Sequence, residues 1–196
     1  GLLVCGGSRG VARRNEVRGH AAAQVQICDA GTAPLLEANA VHSGRAGGVL
    51  VTAGGGGALR ANVVRAHAQA NVRLADGATC ALEGNAVRDG DDCGVALVGC
   101  SCYLARNDIR GTRKAGVLAH GAATAPLLVG NRARPAPQAG CSPGRPGGAS
   151  FGLDHRAALS AGRFRGPRLT NSAIQHDFLR SAGRHAGRAT PLALRS

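Results

Sequence analysis

Six asparagines recur along this chain at spacings of 22 to 24 residues. They are Asn15, Asn39, Asn62, Asn85, Asn107 and Asn131. Each has an apolar residue three positions before it and another two positions after it. In all but the last repeat, a second apolar pair follows ten and twelve residues downstream. A period of this length indicates a repeat architecture in which each unit packs on the next.

The apolar residues of each repeat lie two positions apart, which is the spacing of a strand rather than a helix. Gly, Asn, Asp and Ala separate these short runs and favour tight turns. A unit of about 23 residues with three such strands has no room for the helix of a βα crossover. The pattern therefore predicts an all-β fold, a right-handed parallel β-helix of about six coils over residues 1–135.

Stacked coils place like residues on like, so the recurring asparagines are predicted to be structural. We expect each to adopt a left-handed backbone conformation and to hydrogen-bond to its counterparts in the coils above and below. Cys80 and Cys102 both stand five residues before an asparagine. They are predicted to be neighbours on adjacent coils, as a small buried thiol pair rather than a metal site.

The repeat ends after Asn131. Residues 136–150 are rich in Pro and Gly and are predicted to form a linker. Residues 151–196 read as a basic tail, disordered or loosely packed apart from one short helix at 172–182. The chain opens on Gly-Leu-Leu-Val in mid-pattern and contains no Met, so it is interpreted as a fragment of a longer protein.

The net charge of +13 points first to nucleic acid or another anionic surface. All but one of the 24 basic residues are Arg, which indicates coding bias as much as phosphate binding. The tail, 136–196, holds 9 basic and 2 acidic residues, so nucleic-acid binding through it is an alternative but not the favoured one. No apolar run is long enough to span a membrane. Seven Cys without a CxxC pair predict a reducing, intracellular compartment, either cytoplasm or nucleus.

The residue between the two downstream apolar positions faces outward in every coil. These residues, predicted to form a partner-binding face and called the partner face below, are Leu3, Gln26, Leu50, Arg73, Ala96 and Leu118. The next column is Cys5, Cys28, Thr52, Ala75, Val98 and His120, and neither column holds a carboxylate. The sequence therefore predicts no catalytic residue, no metal and no cofactor.

A polysaccharide-active enzyme, of the lyase or epimerase class, is the main alternative, and it needs paired acidic or basic groups on one face. Asp29 and Asp76 share a column but stand two coils apart, about 10 Å. Sugar grooves are commonly floored with aromatic rings, and this solenoid has only Tyr103. These features favour a binding protein over an enzyme.

Two further groups of residues are candidate cation sites. The acidic turn at Asp89, Asp91 and Asp92 is interpreted as a solvated turn rather than a cation site. His20 and His67 share a column, with His42 in the intervening coil. They are predicted to be exposed turn histidines rather than a transition-metal site.

The runs Gly48–Val51, Ala58–Val64 and Ala81–Val87 resemble the parallel β-helix repeat family, with the pectin-lyase-like fold. They look most like the β-helix of certain F-box proteins. That resemblance covers about residues 1–135 and implies the substrate-recruiting arm of a ubiquitin ligase. Neither an F-box nor the Cys/His-rich zinc domain of those proteins occurs in the sequence, where only Cys141 follows Cys102. The leading hypothesis is a non-catalytic module that binds a protein partner.

Overall fold

The computed structural model describes residues 1–135, and in this range the chain forms 18 short strands and no helix. The strands pair in parallel into three six-stranded sheets, and successive coils supply successive strands of each sheet. A complete coil thus adds one strand to every sheet before the chain returns one rung further along. The predicted fold class, a parallel β-solenoid of about six coils, is confirmed.

The three sheets consist of short strands that pair in register. The first sheet contains β1 (Leu2–Val4), β4 (Val25–Ile27), β7 (Val49–Val51), β10 (Val72–Ala75), β13 (Val95–Val98) and β16 (Val117–His120). The second contains β2 (Val11–Arg13), β5 (Leu35–Glu37), β8 (Gly56–Arg60), β11 (Thr79–Glu83), β14 (Tyr103–Ala105) and β17 (Leu127–Val129). The third contains β3 (Glu16–Arg18), β6 (Ala40–His42), β9 (Val63–Arg65), β12 (Ala86–Arg88), β15 (Asp108–Thr112) and β18 (Arg132–Pro135).

Aliphatic side chains from all three sheets fill the interior, because alternate strand residues point inward. The largest fully buried ones are Ile27, Leu59, Leu74, Leu82, Leu97, Leu104 and Ile109. Residues of the outermost coils, such as Leu2 and Leu128, pack against this core but are only partly buried. Ala119 was predicted to face inward and is exposed, since β16 is the last strand of the first sheet in the described residues.

The six recurring asparagines form a continuous ladder inside the corner between the second and third sheets. From Asn15 to Asn107, each side-chain Nδ2 donates to the Oδ1 of the asparagine in the next coil at 2.8–3.0 Å. The same Oδ1 accepts the backbone N–H of the previous asparagine at 2.9 Å. From Asn39 onward, Nδ2 also donates to a backbone carbonyl of the previous coil. The predicted inter-coil hydrogen bonds are present, and we call this set the asparagine ladder.

The predicted left-handed conformation of the asparagines is wrong, because the residue before each asparagine adopts it instead. The six residues with positive φ at this corner are Arg14 (58°), Ala38 (53°), Ala61 (52°), Gly84 (62°), Arg106 (53°) and Gly130 (59°). The left-handed residue turns the chain sharply, so that the asparagine side chain is directed into the solenoid and reaches the neighbouring rung. Four of the six positions lack Gly and therefore cost about 1–2 kcal/mol each.

Cys80 and Cys102 are stacked on adjacent coils, as predicted. The residues that follow them, Ala81 and Tyr103, are register partners in the paired strands β11 and β14. Both are buried and neither is in a disulfide. Burial raises the pKa of the Cys80 thiol to about 12 and also raises that of Cys102. The pair acts as small apolar core residues and is unreactive near neutral pH.

The solenoid occupies the whole described range up to β18, and the predicted β-helix boundary at residue 135 stays a prediction. The linker at 136–150, the basic tail at 151–196 and the short helix at 172–182 lie outside the described residues. Within residues 1–135, no helix is long and apolar enough to cross a membrane.

Candidate binding surfaces

The six residues of the partner face form one outward column across the whole first sheet. The strand register aligns Leu3, Gln26, Leu50, Arg73, Ala96 and Leu118 as successive Cα partners. Leu3 is 61% exposed and Leu118 is 43% exposed, so both ends of the column present apolar surface. Ala96 is only 8% exposed, because it packs with Ala70 and Cys93 of the adjoining turns. The face therefore offers two apolar ends, with Arg73 exposed between them.

A second outward column, on the third sheet, is basic in every coil. The register of β3, β6, β9, β12, β15 and β18 aligns Arg18, His42, Arg65, Arg88, Arg110 and Arg134. We call these six residues the basic column. Sequence reasoning missed it, although every member stands three positions after an asparagine of the ladder. That regular spacing could have predicted the column, but the high Arg content of the chain was interpreted as coding bias.

The other outward column of the third sheet carries little acid. Its members are Glu16, Ala40, Val63, Ala86, Asp108 and Arg132. Glu16 lies against Arg18 and His42 at 3.1 Å, and Asp108 is bonded to Arg88 and Arg110. The middle three residues have no charge, so this face holds six arginines and two carboxylates, for a net charge of +4 with His42 neutral.

The second sheet differs from the third, since charges of opposite sign alternate along one of its outward columns. Arg13, Glu37, Arg60 and Glu83 are successive rungs of that column. Arg13 contacts Glu37 at 2.5 Å, and Arg60 contacts Glu83 at 3.2 Å. On this sheet each charge has an opposite neighbour one rung away.

The acidic turn after β12 is held by ion pairs with the next coil. Asp91 pairs with Arg113 at 3.3 Å, and Asp92 pairs with Lys114 at 2.9 Å. Partial burial opposes ionisation of Asp92, but the hydrogen bond and charge of Lys114 outweigh it and lower the pKa. Asp76, predicted to be isolated from Asp29, accepts a 2.6 Å hydrogen bond from the Thr52 hydroxyl. In residues 1–135, Asp89, Asp91 and Asp92 do not converge as a cation-ligand group.

The three histidines considered as metal ligands occupy different environments. His67 is 1% exposed, so its predicted exposure is wrong. The ring is buried because Gly44 and Gly48 of the previous coil leave space for it; a Cβ on either would lie 2.8 Å from the imidazole. Nδ1 bonds to Asn71 Oδ1 at 2.8 Å, and burial lowers the pKa of His67. His42 lies at the end of strand β6, is partly buried and contacts Ser43 and Glu16, so its predicted place in an exposed turn is also wrong. His20 is exposed, as predicted.

One group of possible metal ligands occurs in the described residues. Cys5, Cys28 and Asp29 place their ligand atoms within 4.8 Å of one another. Partial burial, together with Asp29 and Cys5, raises the pKa of the Cys28 thiol. Asp29 Oδ2 also accepts the backbone N–H of Gly6 at 2.9 Å. Three ligands fall one short of a closed structural zinc site, so this group alone does not define a metal centre.

The three in-register parallel sheets and the internal asparagine ladder define a β-helix protein. The family model for the right-handed β-helix region matches residues 1–133, and the chain belongs to this family. No curated protein and no solved structure matches the chain. Family membership fixes the architecture and the hand of the coil, whereas function is carried by residues on the outer faces.

Proposed function

We propose that this β-helix is a non-catalytic module that binds a protein partner through the partner face. The observation that carries this proposal is a continuous outward column with exposed leucines at both ends and no carboxylate. Exposed apolar side chains on a rigid sheet, with an arginine between them, are typical of protein interfaces. The β-helix supplies rigidity, so little conformational entropy is lost on binding.

The resemblance to F-box proteins extends this proposal to a particular role. In that role the module is the substrate-recognition part of a ubiquitin-ligase adaptor in the cytoplasm or nucleus. None of the six described cysteines is in a disulfide, which supports a reducing compartment. An adaptor of this kind positions a substrate and performs no chemistry itself, in keeping with the dispersed carboxylates of the described residues, most of which are ion-paired.

The test is capture of interacting proteins from a lysate of the source cells. The double variant Leu50→Glu/Leu118→Glu places two charges on the partner face and should abolish capture without unfolding the solenoid. Arg45→Glu/Arg106→Glu changes charged residues in turns and serves as the control. Identical capture by both variants and the parent would reject the partner face.

The competing enzyme hypothesis has a direct assay. Polygalacturonate and other uronides are incubated with the full chain, with and without calcium, and unsaturated products are measured by ultraviolet absorbance. We expect no product in either condition. Cleavage that depends on the protein would replace the binding proposal with a catalytic one.

A further inference from the structure

The basic column is the strongest unassigned feature of the described surface. Its six residues stand on successive rungs of one sheet, about 4.8 Å apart, and extend over about 24 Å. The sheet backbone fixes the origin of every side chain. Arg18, Arg65, Arg110 and Arg134 are exposed, whereas Arg88 and His42 are partly buried.

A column of like charges is unfavourable for the fold itself. Directly opposed like charges on adjacent strands destabilise a sheet, by a few tenths of a kcal/mol to about 1 kcal/mol per pair. The second sheet avoids this cost by alternating Arg and Glu. Coding bias towards Arg applies equally to both sheets and does not explain why only one of them aligns its arginines. The stacked charge therefore indicates a function for the surface rather than a requirement of the solenoid.

Part of the positive charge is uncompensated in the described residues. Glu16 pairs with Arg18 at one end of the column. Asp108 is shared by Arg88 and Arg110 on the fourth and fifth rungs, so it offsets only one of their two charges. Arg65, in the middle, has no carboxylate partner, and its neighbours on the face are Ala40, Val63 and Ala86. An incoming anion would meet an open guanidinium at the centre and replace weak, exposed ion pairs on either side.

We propose that the basic column binds an extended acidic segment of the protein partner. About seven extended residues span 24 Å, and carboxylate side chains form paired hydrogen bonds with the planar guanidinium group. A single-stranded nucleic acid is a poorer fit, because its bases require aromatic stacking platforms. Tyr103 is the one aromatic residue in residues 1–135, and it lies on the second sheet. This inference rests on the proposed function and names the chemistry of the partner.

The test measures binding of a fluorescein-labelled octaglutamate peptide to the full chain by fluorescence anisotropy, at low and moderate salt. Arg65→Glu/Arg88→Glu reverses two charges in the middle of the column. Arg45→Glu/Arg106→Glu is the matched control, with the same change of net charge at two exposed residues outside both columns. Thermal melting of all three proteins establishes that each is folded.

We expect the column variant to bind octaglutamate at least tenfold more weakly than the parent, and the control to bind within about twofold. Equal loss in both variants would show attraction by net charge and overturn the proposal. Absence of peptide binding to the parent would overturn it as well. So would tighter binding of oligothymidine than of octaglutamate with the same dependence on Arg65 and Arg88, which would assign the column to nucleic acid.

The two proposals fail separately. Leu50→Glu/Leu118→Glu should retain octaglutamate binding, because the basic column is on another sheet. Loss of partner capture only in that variant supports the partner face and not the column. Loss of peptide binding only in Arg65→Glu/Arg88→Glu supports the column alone.

Discussion

The asparagine ladder and the basic column follow the same repeat, three positions apart in sequence, yet they lie in opposite environments. Asn39, Asn62, Asn85 and Asn107 are at most 5% exposed, and each is hydrogen-bonded to both adjacent coils. The arginines of the column stand outside the third sheet, and in the described residues only Arg18, Arg88 and Arg110 make ion pairs. A regular period therefore does not separate structural residues from functional ones, whereas burial and hydrogen bonding do.

Both columns depend on the shared core, and the largest expected effect comes from disrupting it. Leu82→Asp places a charge at a fully buried position and should unfold the solenoid. The measurement is far-ultraviolet circular dichroism with thermal melting. Leu118→Asp makes the same change at a position that is 43% exposed and should melt near the parent temperature. A folded Leu82→Asp protein would contradict the inward assignment.

Substituting an asparagine in the middle of the ladder should lower the free energy of unfolding more than substituting the one at its exposed end. Asn85→Ala removes bonds to Asn62, Leu59 and Asn107 and leaves buried partners unsatisfied. We expect a loss of about 3–5 kcal/mol in the free energy of unfolding. Asn15→Ala, at the exposed end, should cost about 1 kcal/mol. Chemical denaturation measures both, and equal losses would argue against cooperative stacking.

Buried polar groups should also make stability depend on pH. The pKa of His67 is lowered in the folded protein, mainly by burial, so the unfolded chain takes up a proton first as the pH falls. Stability should decrease as the pH drops through the ordinary histidine value near 6.5. His67→Gln should lose less stability than the parent between pH 7.5 and pH 5.5. Parallel pH profiles of the two proteins would show that His67 is not buried in its neutral form.

The smallest effect is expected in the basic column. Arg65→Ala removes a side chain that has no carboxylate partner in the described residues, and it relieves repulsion from Arg88. The free energy of unfolding should stay within about 0.5 kcal/mol of the parent or rise slightly. The same denaturation experiment provides the value. A loss as large as that of Asn85→Ala would make the column structural and end the contrast with the ladder.

The architecture was predictable because the core and the ladder repeat the same residue types, aliphatic residues that must be buried and asparagines that hydrogen-bond to one another. Leu59, Leu82 and Leu104 occur at one position of successive repeats, and only stacked strands bury them together. The backbone detail at the corner was not predictable in the same way. Asn is the usual non-Gly residue in the left-handed region, so it was assigned that role. In the structure Ala38 and Ala61 adopt the left-handed conformation instead, and alanine has no preference for it that the sequence could reveal.

The outer surface was harder to predict because many side-chain types are compatible with an exposed strand position. The alignment of Arg65, Arg88 and Arg110 was visible as a spacing, but the excess of Arg throughout the chain concealed it. The proximity of Asp29 to Cys5 and Cys28 depends on how a turn directs its side chains, and residue spacing does not specify that. The structure aligns the six residues of the partner face in one column, as predicted. Their role in binding a partner stays a prediction.

The polarity of the asparagine ladder has an evolutionary consequence. The bonds between asparagine side chains all run in the same direction, so each rung presents the same acceptor to the asparagine before it and the same donor to the asparagine after it. Duplication of one whole coil would restore all of these bonds and would also lengthen every outer column by one residue. Gene duplication could thus enlarge the recognition surface in steps of one rung, without any change in the way the coils pack and hydrogen-bond.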